Sequence, residues 1–223
     1  MTAGPGADRV AADRRPRYDT SSLLAVAVRV FNERGYDGTS MEDLAKATGL
    51  SKSSIYHHFE GKEELLRLAL QRALSPLFAV IEEPGATQGR AIERLEYVVR
   101  REVAVLVDEL PYVTLLLRVR GNTETERWAL TQRRAFDRFV ADLVAQVVAE
   151  GDVRADLEPG VVARLLFGMI NSLAEWYRPR QPRGRHRPAT PPELADAVVR
   201  LAFDGVRAQP ALAGTEMPTP PLV

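Results

Sequence analysis

Apolar residues recur at three- and four-residue spacing along nearly the whole chain, and no stretch keeps the alternation of a half-buried strand for long. That period builds packed helices, so the expected fold class is all-α. Leu24, Ala27, Val28 and Phe31 share one face of a first helix, which Gly35 should cap. After two short helices, a fourth starts near Lys62 and carries Leu65, Leu66, Ala69, Leu70 and Ala73 inward. Pro76 should kink or end it, and Pro84-Gly85 should close the segment. Longer helices follow. Ile92, Leu95, Val99, Val103 and Leu106 form a stripe that Pro111 should end, and Tyr112 to Val119 reads as a short helix. Phe136, Phe139, Val140, Leu143 and Val147 mark a long one stopped by Gly151. Leu165, Leu166, Met169, Ile170, Leu173 and Trp176 mark another from Pro159. Thr190-Pro191-Pro192-Glu193 has the form of a capping box opening a last helix through Leu194, Val198 and Leu201.

Short helices with polar caps give way to long apolar ones near residue 77, where a domain break is expected. The organisation read from the sequence is a disordered arm over 1–16, a small helical domain over 17–77, a larger one over 78–208 and a disordered Pro-rich tail over 209–223. The Pro/Arg/Gly stretch from Pro179 to Ala189 reads as a loose loop. No apolar run approaches the roughly 18 residues of a membrane span, and the Arg-rich start lacks a signal-peptide core. Without cysteine there is no disulfide or thiolate chemistry, which fits a cytoplasmic protein with no membrane partner.

Lys+Arg and Asp+Glu balance at 30 each, so any contact with nucleic acid must be local. All three lysines, Lys46, Lys52 and Lys62, fall in one short window. In that window Ser40 can cap a helix with Asp43 three residues on, Gly49 supplies a turn, Leu50 plugs the corner and Ser51 caps the next helix. Ile55 and Phe59, four apart, bury its inner face and leave Lys52, Ser53, Tyr56 and His57 outward, with Ser54 beside them. The outward face is short, polar and non-acidic, and it starts at a helix N-terminus. Such a face can donate to phosphates and base edges in a DNA groove. An ordinary hairpin with a solvated polar face would share the same spacing.

The block Phe31…Gly35-Tyr36-Asp37-Gly38-Thr39-Ser40…Leu44-Ala45…Gly49-Leu50-Ser51-Lys52-Ser53-Ser54-Ile55-Tyr56-His57-His58-Phe59…Lys62-Glu63-Glu64-Leu65 closely resembles the signature of TetR/AcrR-family transcriptional regulators. The resemblance covers about residues 17–77, with the helix-turn-helix motif over 40–59. It implies an N-terminal three-helix DNA-binding domain followed by a larger helical domain for dimerisation and ligand binding. It also implies DNA contacts by Ser40, Lys52, Ser53, Ser54, Tyr56, His57 and Lys62, with Thr39, Met41 and His58 as additions. Met41 and Glu42 depart from the threonine and arginine seen at these places in some members.

The last helices are apolar on faces wider than one neighbour needs, which suits a homodimer joined by a four-helix contact. A larger intrachain core is the other reading. Two heads would then read a palindromic operator in double-stranded DNA. Phe167, Asn171 and Glu175 recur every four residues on a greasy helix beside Trp176, and polar groups such as Asn171 and Glu175 in an apolar wall suit an effector cavity, although core or interface hydrogen bonds give the same pattern. Arg118 and Arg120 are candidates for holding an anionic group, and Trp128 is a further pocket candidate. The stretch from Leu166 to Pro179 is similar to TetR-type regulators of fatty-acid, steroid or phenylacetate breakdown, which implies an acyl-coenzyme A effector. The expected function is therefore a ligand-responsive repressor. A ligand-independent DNA-binding protein or an activator of the same fold is the alternative. Enzymatic work is not expected: of three histidines, His57 and His58 lie on the reading head and His186 in the loose loop. No metal-ligand spacing, nucleophile-base pair or phosphate loop occurs, and no cofactor is implied.

Overall fold

The computed structural model describes residues 19–178 and 189–205. The expected arm, the tail and the Pro179–Ala189 loop apart from Ala189 itself lie outside these residues, as does His186. Among the described residues every regular element is a helix, and the contacts divide the chain into two compact units, one up to Ala69 and one from Leu70.

The first unit contains α1 (Thr20–Arg34), α2 (Met41–Thr48), α3 (Lys52–Tyr56) and the start of α4 (Lys62–Val80). Each of the first three is started by an oxygen that meets a free backbone donor. Asp19 Oδ1 accepts from the Ser22 amide at 2.7 Å. Ser40 and Asp43 form a reciprocal capping box, with Asp43 N–H donating to Ser40 Oγ at 3.2 Å and Ser40 N–H to Asp43 Oδ2 at 2.9 Å. Ser51 Oγ accepts from the Ser54 amide at 3.1 Å. Each cap stabilises its helix by about 1 kcal/mol. Gly49 ends α2 at φ 69°, the left-handed region a side chain would strain, and this turn swings α3 across α2. Leu44, Ile55, Phe59, Leu65, Leu66 and Ala69 are all buried, as are Val28 and Phe31 of α1.

The second unit holds the rest of α4, then α5 (Pro84–Thr87), α6 (Ala91–Asp108), α7 (Leu110–Arg118), α8 (Glu124–Glu150), α9 (Pro159–Asn171), α10 (Leu173–Trp176) and α11 (Pro191–Val199). A π-helical turn, Arg200–Asp204, extends the last. α6 packs against α8 and α11, and α8 against α9. α6 is clamped at its flanks by Arg90 to Asp152 at 2.6 Å and by Arg100 to Asp196.

Four expectations need correction here. Of the two effects expected of Pro76, a kink or an end, the end does not occur, since α4 runs on to Val80. The hydrogen bond the proline forgoes belongs to the carbonyl of Arg72, an exposed residue where water can replace the lost donor. Pro84-Gly85 opens a short helix instead of closing the segment, with the proline at a first-turn position that needs no amide hydrogen. α6 stops at Asp108, and Pro111 sits in the first turn of α7. Finally, the helix expected from Pro159 to Trp176 breaks at Ser172, and Leu165 is 66% exposed where an inward position was expected.

Candidate nucleic-acid interface and ligand cavity

α3 presents its polar residues outward because its apolar ones are held from behind. Ile55 and Phe59 are each 2% exposed, whereas Tyr56 is 51% exposed and Lys52, Ser53, His57 and His58 are exposed as well. The serine hydroxyls form a compact cluster at the helix start, Ser51 Oγ lying 2.9 Å from Ser53 Oγ and 2.8 Å from Ser54 Oγ. Three short hydroxyl side chains beside free helix-end amides make a donor-rich tip with little bulk.

The other expected contacts are placed differently. Thr39 is buried and donates through Oγ1 to the Gly35 carbonyl at 2.7 Å, so its side chain secures the α1–α2 loop. This corrects the expectation of a contact from that side chain. Ser40 is exposed but donates to Asp43 Oδ2 at 2.6 Å, and Met41 is half-buried. Lys62 reaches back over the Tyr36 ring, 4.2 Å from its centroid, and donates to the Tyr36 carbonyl at 3.0 Å. Its ammonium therefore steadies the loop ahead of α2.

Sequence reasoning missed Glu42 as a partner of the reading face. Its carboxylate sits 3.2 Å from Lys52 Nζ and 3.4 Å from Lys46 Nζ. The hydrogen bonds from Lys52 and then Lys46 hold it below the usual carboxylate range. DNA must compete with this exposed pair for Lys52. Glu42→Gln should therefore strengthen DNA binding a few-fold, more at low salt than at high, as read by fluorescence anisotropy on a labelled duplex.

The second unit contains a cavity of about 270 Å³ between α4, α6, α7, α8 and α9. Its wall is apolar, with Leu106, Val113, Leu116 and Phe136 among the lining residues. Phe136 packs edge-on against Phe78 at 6.1 Å and tilted against Phe167 at 5.9 Å, which stiffens that wall. The polar lining comes from Glu102, Arg133, Asp137, Arg164 and Asn171. Glu102 is 8% exposed, and its carboxyl makes no hydrogen bond or ion pair among the described residues. Burial, with a smaller contribution from the Asp137 charge, raises it to about 8. Asp137 is raised as well, by burial of its carboxyl, against the opposing pull of Arg133, Arg164 and Arg138.

Of the expected pocket residues, Phe167 and Asn171 line this cavity. Arg118, Arg120, Trp128, Glu175 and Trp176 do not lie among its lining residues. The break at Ser172 carries Glu175 and Trp176 onto α10, where both are exposed. Trp128 is half-buried in the first turns of α8. Among the described residues no group of acidic or histidine side chains is arranged to hold a metal, and no helix is long and apolar enough to cross a membrane.

Residues 23–69 match the family model described as bacterial regulatory proteins, tetR family, and residues 88–206 match the tetracyclin repressor-like C-terminal domain. The chain belongs to the TetR family. This TetR-family protein is 29% identical to the transcriptional repressor KstR2 of Mycobacterium tuberculosis over 183 residues, covering 78% of this chain and 88% of KstR2. SCO3833, a TetR regulator from Streptomyces coelicolor A3, is 61% identical and superposes with a TM-score of 0.79, covering 87% of this chain and 94% of SCO3833. AibR, solved with isovaleryl coenzyme A and operator DNA, shares the fold at a TM-score of 0.68 and 24% identity, over 82% of this chain and 97% of AibR. As a TetR-family member, the chain is a DNA-binding transcriptional regulator and not an enzyme.

Proposed function

We propose that this regulator is a homodimeric repressor that leaves a palindromic operator when a small-molecule effector, an acyl-coenzyme A thioester, fills the α4–α9 cavity. The observation that carries the DNA half is the outward face of α3, with Lys52, Ser53, Ser54, Tyr56 and His57 held out by the buried Ile55 and Phe59. Ser40, Met41, His58 and Lys62 flank that face and complete the contact set. Two such heads about 34 Å apart, or a multiple of it, would meet successive major grooves. The cavity supports the effector half, with Phe167 and Asn171 in its wall. The acyl-thioester assignment draws on relatives: AibR binds isovaleryl coenzyme A, and a Bacillus subtilis relative, 22% identical, is a fatty acid metabolism regulator.

Dimerisation is supported by apolar surface left uncovered. Val161 is 43% and Leu165 66% exposed on one stripe of α9 that continues to Gly168. Leu201 is 44% exposed and follows Ala197 by four residues at the end of the last described helix. Pairing α9 and α11 of two copies into a four-helix contact would cover both stripes. Leu165→Glu should therefore shift the protein to monomer in sedimentation equilibrium. A dimer of unchanged strength would remove α9 from the interface.

Release by ligand is a population shift. A coupling of about 1–3 kcal/mol would weaken operator binding by about 5- to 150-fold. The test is a gel shift on DNA upstream of the protein's own gene, repeated with a panel of acyl-coenzyme A thioesters. The expected result is a retarded band that one thioester dissolves. A ligand shown to bind while leaving operator affinity unchanged would contradict the mechanism.

A further inference from the structure

Glu102 is a carboxyl at a core position of α6, between Val99 and Leu106 on the inward stripe, facing a cavity and without a hydrogen bond or ion pair among the described residues. A carboxyl set in an otherwise apolar stripe and open to a cavity is placed to bond a group that a ligand brings there. The charged groups facing the same space are Arg133 and Asp137 from α8 and Arg164 from α9, while α4 and α7 contribute only apolar side chains. With burial raising it to about 8, the Glu102 carboxyl keeps its proton at neutral pH and is a donor.

A groove of about 260 Å³ adjoins the cavity, sharing Asp137, Arg164 and Phe167 and adding Arg134 and Arg138. Three arginines against one aspartate make that groove a seat for anionic groups. The inner cavity, about 270 Å³, is of a size that suits a short acyl chain.

We propose that the two spaces form one bipartite site, in which the Glu102 carboxyl donates a hydrogen bond to the carbonyl oxygen of a short acyl group while Arg134, Arg138 and Arg164 hold the anionic carrier to which that group is joined. This rests on the effector reading above and deepens it: Glu102 becomes the residue that distinguishes an acyl group from an alkyl one. The opposite chemistry, an organic cation paired with an ionised Glu102, is disfavoured by the arginines at the rim.

The test compares butyryl-coenzyme A with S-butyl-coenzyme A, which has the same carrier but no carbonyl oxygen, by titration calorimetry on the full chain. Wild type should prefer the thioester by about 2- to 10-fold, the worth of one hydrogen bond. Glu102→Gln, whose amide still donates, should keep that preference, and Glu102→Leu should erase it. Arg134→Ala combined with Arg138→Ala should weaken both ligands equally. Equal affinities in wild type, or no binding of either, would overturn the proposal. So would tight binding of pentylamine that Glu102→Gln abolishes. Each variant is also assayed on upstream DNA without ligand. A retained gel shift shows that the reading head is intact, so failure of the acyl site and failure of the DNA assignment give different results.

Discussion

Phe59→Ala should abolish DNA binding by loosening the head that presents α3. The ring is 2% exposed and follows Ile55 by one turn, so both hold the inner side of α3, which packs on α2, within the core of the first unit. Removing a buried phenylalanine costs about 3–5 kcal/mol through lost transfer energy and the cavity left behind. A unit ending at Ala69 has little stability to spare, because small cores bury a modest fraction of their surface. The expected outcome is loss of the operator complex while the dimer proposed to form through the second unit persists. Anisotropy on labelled DNA and sedimentation on the same sample read the two separately. Retained operator affinity would show that α3 does not depend on its buried side.

The second large effect has the opposite sign. Glu102→Gln should stabilise the protein, and by more as pH rises. The folded carboxyl is raised to about 8 from an ordinary 4.5. Between those values the unfolded chain has released the proton that the folded protein keeps, so wild-type stability falls with rising pH across that window. At pH 7 the penalty reaches about 3 kcal/mol as an upper figure, taking about 1.4 kcal/mol per unit. The variant, which cannot ionise, escapes it. The melting temperatures of wild type and Glu102→Gln should nearly coincide at about pH 4.5 and separate steadily to about pH 8. Parallel pH profiles would mean that Glu102 is ionised in the fold. The arrangement trades stability for a ligand-facing donor, as sites commonly do.

The caps and the buried inner face of the helix-turn-helix were legible in the sequence. Caps at Ser40 and Ser51, the positive φ of Gly49 and the four-residue step from Ile55 to Phe59 are local devices, and each was legible because it acts over fewer than five residues. What escaped depends on distant partners. The side chain of Thr39 is turned inward by a carbonyl four residues back, and Lys62 is captured by Tyr36 from far along the chain. Neither could be told from a solvent-facing group by its neighbours alone. Pro76 stays inside α4 because packing outweighs one lost hydrogen bond. The break at Ser172 has no glycine or proline to announce it, and it separates Glu175 and Trp176 from Phe167 and Asn171. Glu102 did leave a signal. It stands three residues after Val99 and four before Leu106, a charged group at a core position of an otherwise apolar stripe.

The central claim is that the exposed side of α3 enters a DNA groove, and the decisive measurement is operator affinity for Lys52→Ala and Tyr56→Ala on upstream duplex. Both side chains are more than half exposed, so neither change should disturb the fold. Each variant should bind about tenfold more weakly, a loss of about 1.4 kcal/mol, with dimer mass and melting temperature unchanged. If both bound as tightly as wild type, the DNA-reading face would lie elsewhere on the molecule.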